Sequence, residues 1–142
     1  MMIFNRTPEF EREFKALGKR WPSLPKDLAI AERLIEALYL DQESVDRVSF
    51  RKNFFNRKRA AILSCTQSCE AVKMRMDCAS LGSKDSVRLV FIYIFDGTSI
   101  LLVELFSKTD KNREDAMRLR KYIGRYVRGK RNIAKCNEKR YN

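Results

Sequence analysis

The amino-acid sequence predicts an α+β domain in which an antiparallel sheet is backed by an N-terminal helical hairpin and a C-terminal helix. Residues 7–17 and 23–38 carry apolar side chains at helical spacing, and residues 113–126 return to that spacing. Between them, residues 70–106 hold three apolar runs of strand length. A chain of 142 residues that is 44% hydrophobic can bury one substantial core. It is read as a single domain over residues 1–130, followed by a basic, mobile tail over 131–142.

In chain order, residues 2–6 make a short extended start. Thr7 is suited to cap a first helix with Pro8 at its first helical position. Phe10, Phe14 and Leu17 form its apolar stripe, and Gly18 is the expected stop. Trp21-Pro22-Ser23-Leu24-Pro25 reads as a turn, with Ser23 capping a second helix whose stripe is Ala31, Leu34, Ile35 and Leu38. Residues 41–68 show no clear period. Over residues 70–78, Val72, Met74 and Met76 alternate with Lys73, Arg75 and Asp77, as in a strand with one buried face. Residues 79–85 form a small-residue loop. Residues 87–95 are apolar except for Arg88, the pattern of a central strand covered on both faces. Asp96-Gly97 suits a hairpin turn into the apolar run 100–106. The last helix buries Leu119, Tyr122, Ile123 and Tyr126, with Gly124 and Gly129 weakening its end.

Charge narrows the range of partners. Thirty Lys and Arg residues against eighteen Asp and Glu leave a formal net charge of +12. That imbalance attracts polyanions: nucleic acid, an anionic membrane surface or an acidic protein. Arg47, Arg51, Lys52, Arg57, Lys58 and Arg59 form a run without an acid, and a second basic stretch follows Lys121. Each run is either a solvated face or part of an anion-binding surface. Phe50, Phe54 and Phe55 lie among the first run. Such phenylalanines anchor a segment to a core, or stack on bases between neighbouring cations.

Other chemistries are disfavoured. The chain has no histidine, so imidazole cannot activate a serine or cysteine nucleophile. Cys65, Cys69, Cys78 and Cys136 contain no Cys-x-x-Cys pair and read as reduced thiols, not as a zinc site. No run approaches the ~20 apolar residues of a membrane span. The start Met1-Met2-Ile3-Phe4-Asn5-Arg6 lacks the pattern of a secretory signal, so the expected location is cytoplasmic.

The strands themselves carry the strongest functional pattern. Lys73-Met74-Arg75-Met76, Ser86-Val87-Arg88-Leu89-Val90-Phe91 and Leu105-Phe106-Ser107-Lys108-Thr109-Asp110-Lys111 set isolated cations on or beside apolar strands. A buried strand position gains nothing from a cation unless that side chain meets an anion. Phosphate is the obvious ligand. A lone Arg88 would instead pair with a nearby acid such as Glu104 or Asp77, and lone Lys73 or Lys108 would be solvated.

In their order and spacing, with Gly82 and Lys84 in the intervening loop, these segments resemble the RelE/HigB toxins of bacterial type II toxin–antitoxin systems, in the RelE/ParE superfamily. The likeness covers residues 70–123. Over the first two helices it rests on order and length. It implies a RelE-like fold and a metal-independent, cofactor-free endoribonuclease that cuts messenger RNA in the ribosomal A site. Its partners would be the ribosome, messenger RNA and a cognate antitoxin, with no membrane involved. Lys73 and Arg75 match the basic strand facing the RNA, Arg88 the central-strand arginine, and Lys108 with Lys111 the basic cluster before the last helix. The resemblance thus makes Lys73, Arg75, Arg88 and Lys108 the candidate catalytic residues, with Lys73 able to serve as base among crowded cations. Lys84, Lys111, Arg51, Lys52 and Arg57 are the candidate RNA-binding cations. Where some members carry a tyrosine in the first turn of the last helix, this chain has Arg113, Glu114 and Asp115. The rival readings are a ParE-like poison of DNA gyrase and a degenerate member that only binds RNA or protein.

Overall fold

The computed structural model describes residues 2–39, 54–55, 59–81 and 87–127. The expected tail over 131–142 lies outside them. The elements run β1 (Ile3–Arg6), α1 (Pro8–Arg20), α2 (Leu24–Tyr39), β2 (Ala60–Cys65), β3 (Cys69–Met76), a 3-10 turn (Ala79–Leu81), β4 (Val87–Ile94), β5 (Ser99–Ser107) and α3 (Ala116–Val127). The five strands form one sheet in the order β1-β5-β4-β3-β2. The fold is α+β, with an N-terminal pair of helices and a C-terminal helix.

The sheet is mixed, which corrects the expectation of an antiparallel one. β2 to β5 pair antiparallel, but β1 runs parallel to β5, from Ile3 opposite Ser99 to Arg6 opposite Leu102. The antiparallel strands are joined by short connections that dictate their direction. No such turn links β1 to β5, so nothing local sets its orientation.

The first helix starts as its residues dictate. The Thr7 hydroxyl accepts the Phe10 N–H at 3.0 Å, Pro8 follows, and Glu9 and Glu11 occupy the positive first turn. Gly18 does not stop it. The helix runs on to Arg20, where the Trp21 N–H donates to the Leu17 carbonyl at 2.9 Å. In α2, Pro25 lies inside the first turn, where its missing N–H costs nothing. Ser23 does not cap through its hydroxyl. That hydroxyl donates to the Asp27 carboxylate at 2.7 Å and accepts the Ser80 N–H at 2.8 Å, tying α2 to the 3-10 turn.

Alternation along the strands separates two cores. On one face Val72, Met74, Met76, Leu89, Phe91, Tyr93, Ile100, Leu102 and Leu105 meet Phe10 and Leu17 of α1 and Leu24, Leu28, Ala31, Ile35 and Leu38 of α2. Phe54 belongs to this core, and Phe55 packs against it with its ring 5.4 Å from that of Phe54. Both phenylalanines are thus tied to this core; Phe50 lies outside the described residues. On the opposite face Cys69, Ala71, Val90, Ile92, Leu101, Val103 and Phe106 meet Leu119 and Tyr122 of α3. Ile123 and Tyr126 pack against this second core as their spacing predicts.

One edge is closed by side chains. β1 covers β5 only up to Leu102, and beyond it the ladder would leave polar groups unpaired. There Glu13 of α1 accepts the Leu105 N–H at 3.0 Å. Arg118 of α3 donates to the Val103 carbonyl at 2.9 Å and to both Glu13 oxygens at 3.0 and 2.8 Å. Val103 is the extra residue of a β-bulge, because Val90 pairs with Glu104 while Phe91 pairs with Leu102. Nearby, the Tyr122 hydroxyl donates to Glu9 at 2.5 Å, and Lys121 lies 3.2 Å from the same carboxylate. Helices on opposite faces thus clasp one sheet edge.

This clasp has an acid limit. The Tyr122 hydrogen bond, aided by Lys121 and opposed by burial, holds the Glu9 carboxyl at about 2 instead of 4.5. A lowered folded-state value means that the contribution is complete above pH 4.5 and is lost as pH falls toward about 2. Glu9→Gln is expected to flatten that part of the stability–pH curve, measured by urea unfolding. An unchanged acid limb would show that the clasp contributes nothing.

Candidate phosphate-binding hollow on the sheet

The face that α3 packs against also carries the strand-borne cations. Lys73 and Arg75 continue the side-chain row of Cys69 and Ala71 on β3, and on β4 Arg88 continues the row of Val90 and Ile92. Pairing sets Arg75 directly opposite Arg88, and Lys73 opposite Val90. On β5, Phe106 stands opposite Arg88, two residues before Lys108.

These residues share one hollow of about 390 Å³. Lys73, Arg75, Arg88 and Lys108 all line it, joined by Arg59, while Phe55, Ala60 and Ala61 supply an apolar wall. Five cations and no carboxylate are found among its described lining residues. The pattern that placed the first four on or just beyond neighbouring strands thus brings them together in space.

Arg88 sits deepest, only 9% exposed, and its guanidinium donates to its neighbour's carbonyl, that of Val87, at 3.2 Å. The two carboxylates that the sequence offered it are otherwise engaged. Glu104, 1% exposed, accepts the Asp115 N–H at 2.8 Å and the Lys111 ammonium. Asp77 lies on the surface, 3.7 Å from Arg59. Arg75 is exposed, and its N–H donates to the Arg59 carbonyl at 2.7 Å, which holds Arg59 at the end of β2. Lys108 is exposed and has no ion pair among the described residues.

Lys73 is arranged differently. Its ammonium donates to Glu114 at 2.8 Å, with both side chains mostly covered. The hydrogen bond casts Lys73 as a donor, in place of the proton acceptor that crowding among cations suggested. Burial pushes the Glu114 carboxyl up. The Lys73 hydrogen bond, its charge and that of Arg113 outweigh burial and hold the carboxyl below its ordinary value.

Lys111 is not brought into the hollow. It bonds the buried Glu104, lies 5.1 Å from the Phe106 ring centre, and lines a separate cavity of about 290 Å³ beside α1. Lys84, Arg51, Lys52 and Arg57 lie outside the described residues. Sequence reasoning missed Arg59 as part of the hollow and Glu114 as the partner of Lys73. For Glu114 the available signal was Asp115, whose carboxylate accepts the Arg118 N–H at 3.0 Å and caps α3. A helix starting at Ala116 sets Glu114 in the approach loop, whereas a start at Arg113 would not.

The arrangement suits a phosphodiester. Arginine presents a planar pair of donors to phosphate oxygens, and a largely buried guanidinium attracts charge more strongly than one in water. Among the described residues no group of three His, Cys, Asp or Glu side chains could hold a metal ion, and no disulfide joins Cys65, Cys69 and Cys78 to one another. No described helix is long and apolar enough to cross a membrane. Comparisons with protein-family models, with curated proteins and with solved structures found no match.

Proposed function

We propose that this protein is the toxin of a type II toxin–antitoxin system, a ribosome-dependent endoribonuclease of the RelE/HigB kind that cuts messenger RNA and halts translation. One observation carries the reading: Lys73, Arg75, Arg88 and Lys108 line a single hollow. Four cations converging on one place have a common use if a phosphodiester enters it, and a gyrase poison has none for them.

In this reading the cations neutralise the phosphoryl oxygens as a ribose 2′-hydroxyl attacks the adjacent phosphorus. The charge neutralisation is supplied by the chain's own cations, as in the metal-independent, cofactor-free reaction that the resemblance implies. The ribosome aligns the nucleotide, which supplies much of the barrier reduction. The antitoxin would cover the basic face with an acidic segment.

The test is induced expression followed by primer extension on cellular messenger RNA, with gyrase-linked DNA breaks measured in parallel. New 5′ ends within translated codons, abolished when ribosomes are kept off the message, are expected. Intact messages with growth arrest and broken DNA would replace this reading by the gyrase one. Intact messages and DNA with no arrest would leave a protein that only binds.

A further inference from the structure

The transesterification needs a group to take the 2′-hydroxyl proton, and the cations lining the hollow are donors. The chain has no histidine. Among the described residues, Glu104, Asp115, Asp77 and Glu114 are carboxylates on or beside this side of the sheet, and the first three are committed elsewhere. Both oxygens of Glu104 accept hydrogen bonds in the interior. One oxygen of Asp115 caps α3, and the other faces the Arg118 guanidinium at 3.8 Å. Asp77 is solvated beside Arg59.

Glu114 is the fourth. Its Oε1 accepts from Lys73 at 2.8 Å, and Lys73 lines the hollow. Its Oε2 takes no hydrogen bond among the described residues, although the side chain is only 19% exposed. That is the geometry of an oriented acceptor beside the hollow: one oxygen is pinned to Lys73 on its wall, and the other keeps its acceptor capacity among the described residues.

Resting on the ribonuclease reading, we infer that Glu114 is the general base, with Lys73 as the residue that aims it. The carboxylate takes the proton of the 2′-hydroxyl as the O2′–P bond forms. The P–O5′ bond breaks, and the leaving oxygen takes a proton from the Lys108 ammonium. Products are a 2′,3′-cyclic phosphate and a 5′-hydroxyl. The proton on Glu114 returns through solvent to Lys108, so the cycle closes without a co-reactant.

Glutamine separates this role from mere support, because its amide oxygen still accepts from Lys73 but cannot hold the proton. With purified protein and ribosomes programmed with messenger RNA, Glu114→Gln is expected to cut at least about 100-fold more slowly. It should bind a single-stranded RNA more tightly, since a negative charge beside the hollow has gone. Lys73→Gln should weaken that binding. A thermal melt confirms that each variant is folded, and Glu114→Asp, with its shorter reach, should show an intermediate loss of rate. Glu114→Gln cutting within a few-fold of the parent overturns the inference and makes Glu114 a support for Lys73. No cleavage by the parent protein would instead overturn the ribonuclease reading itself.

Discussion

Arg88→Ala is expected to lower messenger RNA cleavage by about 100- to 1000-fold, the loss seen when one well-placed donor to a developing oxyanion is removed. The magnitude follows from position. Arg88 is the deepest of the five cations, with 9% exposure, so its charge acts where water screens least. Its neighbours in the hollow, Arg75 across the ladder and Lys108 beyond β5, are exposed and partly screened. Arg88→Lys keeps the charge without the planar fork and should fall between the two. Growth arrest after induction and primer extension are the readouts. Full arrest in cells making folded Arg88→Ala would remove the phosphate from this mechanism.

Lys111→Ala should act on stability, with a loss of about 3 kcal/mol in urea unfolding. Glu104 is 1% exposed, and its two ties are the Lys111 ammonium and the Asp115 N–H. Without Lys111 a carboxylate would remain inside the protein with a single backbone donor. Lys111 is itself 40% exposed, which places the loss at the low end of the range for broken buried pairs. Adding Glu104→Gln should recover part of the loss by removing the stranded charge. RNA affinity per folded molecule should be unchanged. A stable Lys111→Ala protein with weakened RNA binding would return Lys111 to the nucleic-acid surface, where the family resemblance had put it.

Much of this architecture could be read from periodicity. Val72, Met74 and Met76 alternating with Lys73 and Arg75 define β3 and its two faces, and the unbroken apolar run around Arg88 defines a covered strand. Thr7-Pro8 marks the start of α1 because capping is local chemistry. What escaped was mostly non-local. β2, Ala-Ala-Ile-Leu-Ser-Cys, is half-buried, and a bulge between Ile62 and Ser64 breaks its alternation, so its period is weak. The direction of β1 depends on a partner at Ser99–Leu102, far beyond any turn. Gly18 misled for a different reason: no neighbouring atom lies within 4 Å of where its Cβ would stand, so α1 passes through it without needing a glycine. The candidate site was legible as three cations on adjoining strands and a fourth, Lys108, just past β5. Its carboxylate was not, because Lys73 and Glu114 meet across forty-one positions of chain.

β3 places the interior and the cationic surface on consecutive residues. Met74 and Met76 are 1% and 2% exposed, and Lys73 and Arg75 lie between and beside them. Were the strand to slide by a single step against β4, one ammonium and one guanidinium would be driven into oil while two thioethers took their place in the hollow. The misaligned molecule would lose its hydrophobic interior and its cationic hollow in the same event. For this strand, burying the core and presenting the cations are one and the same folding event.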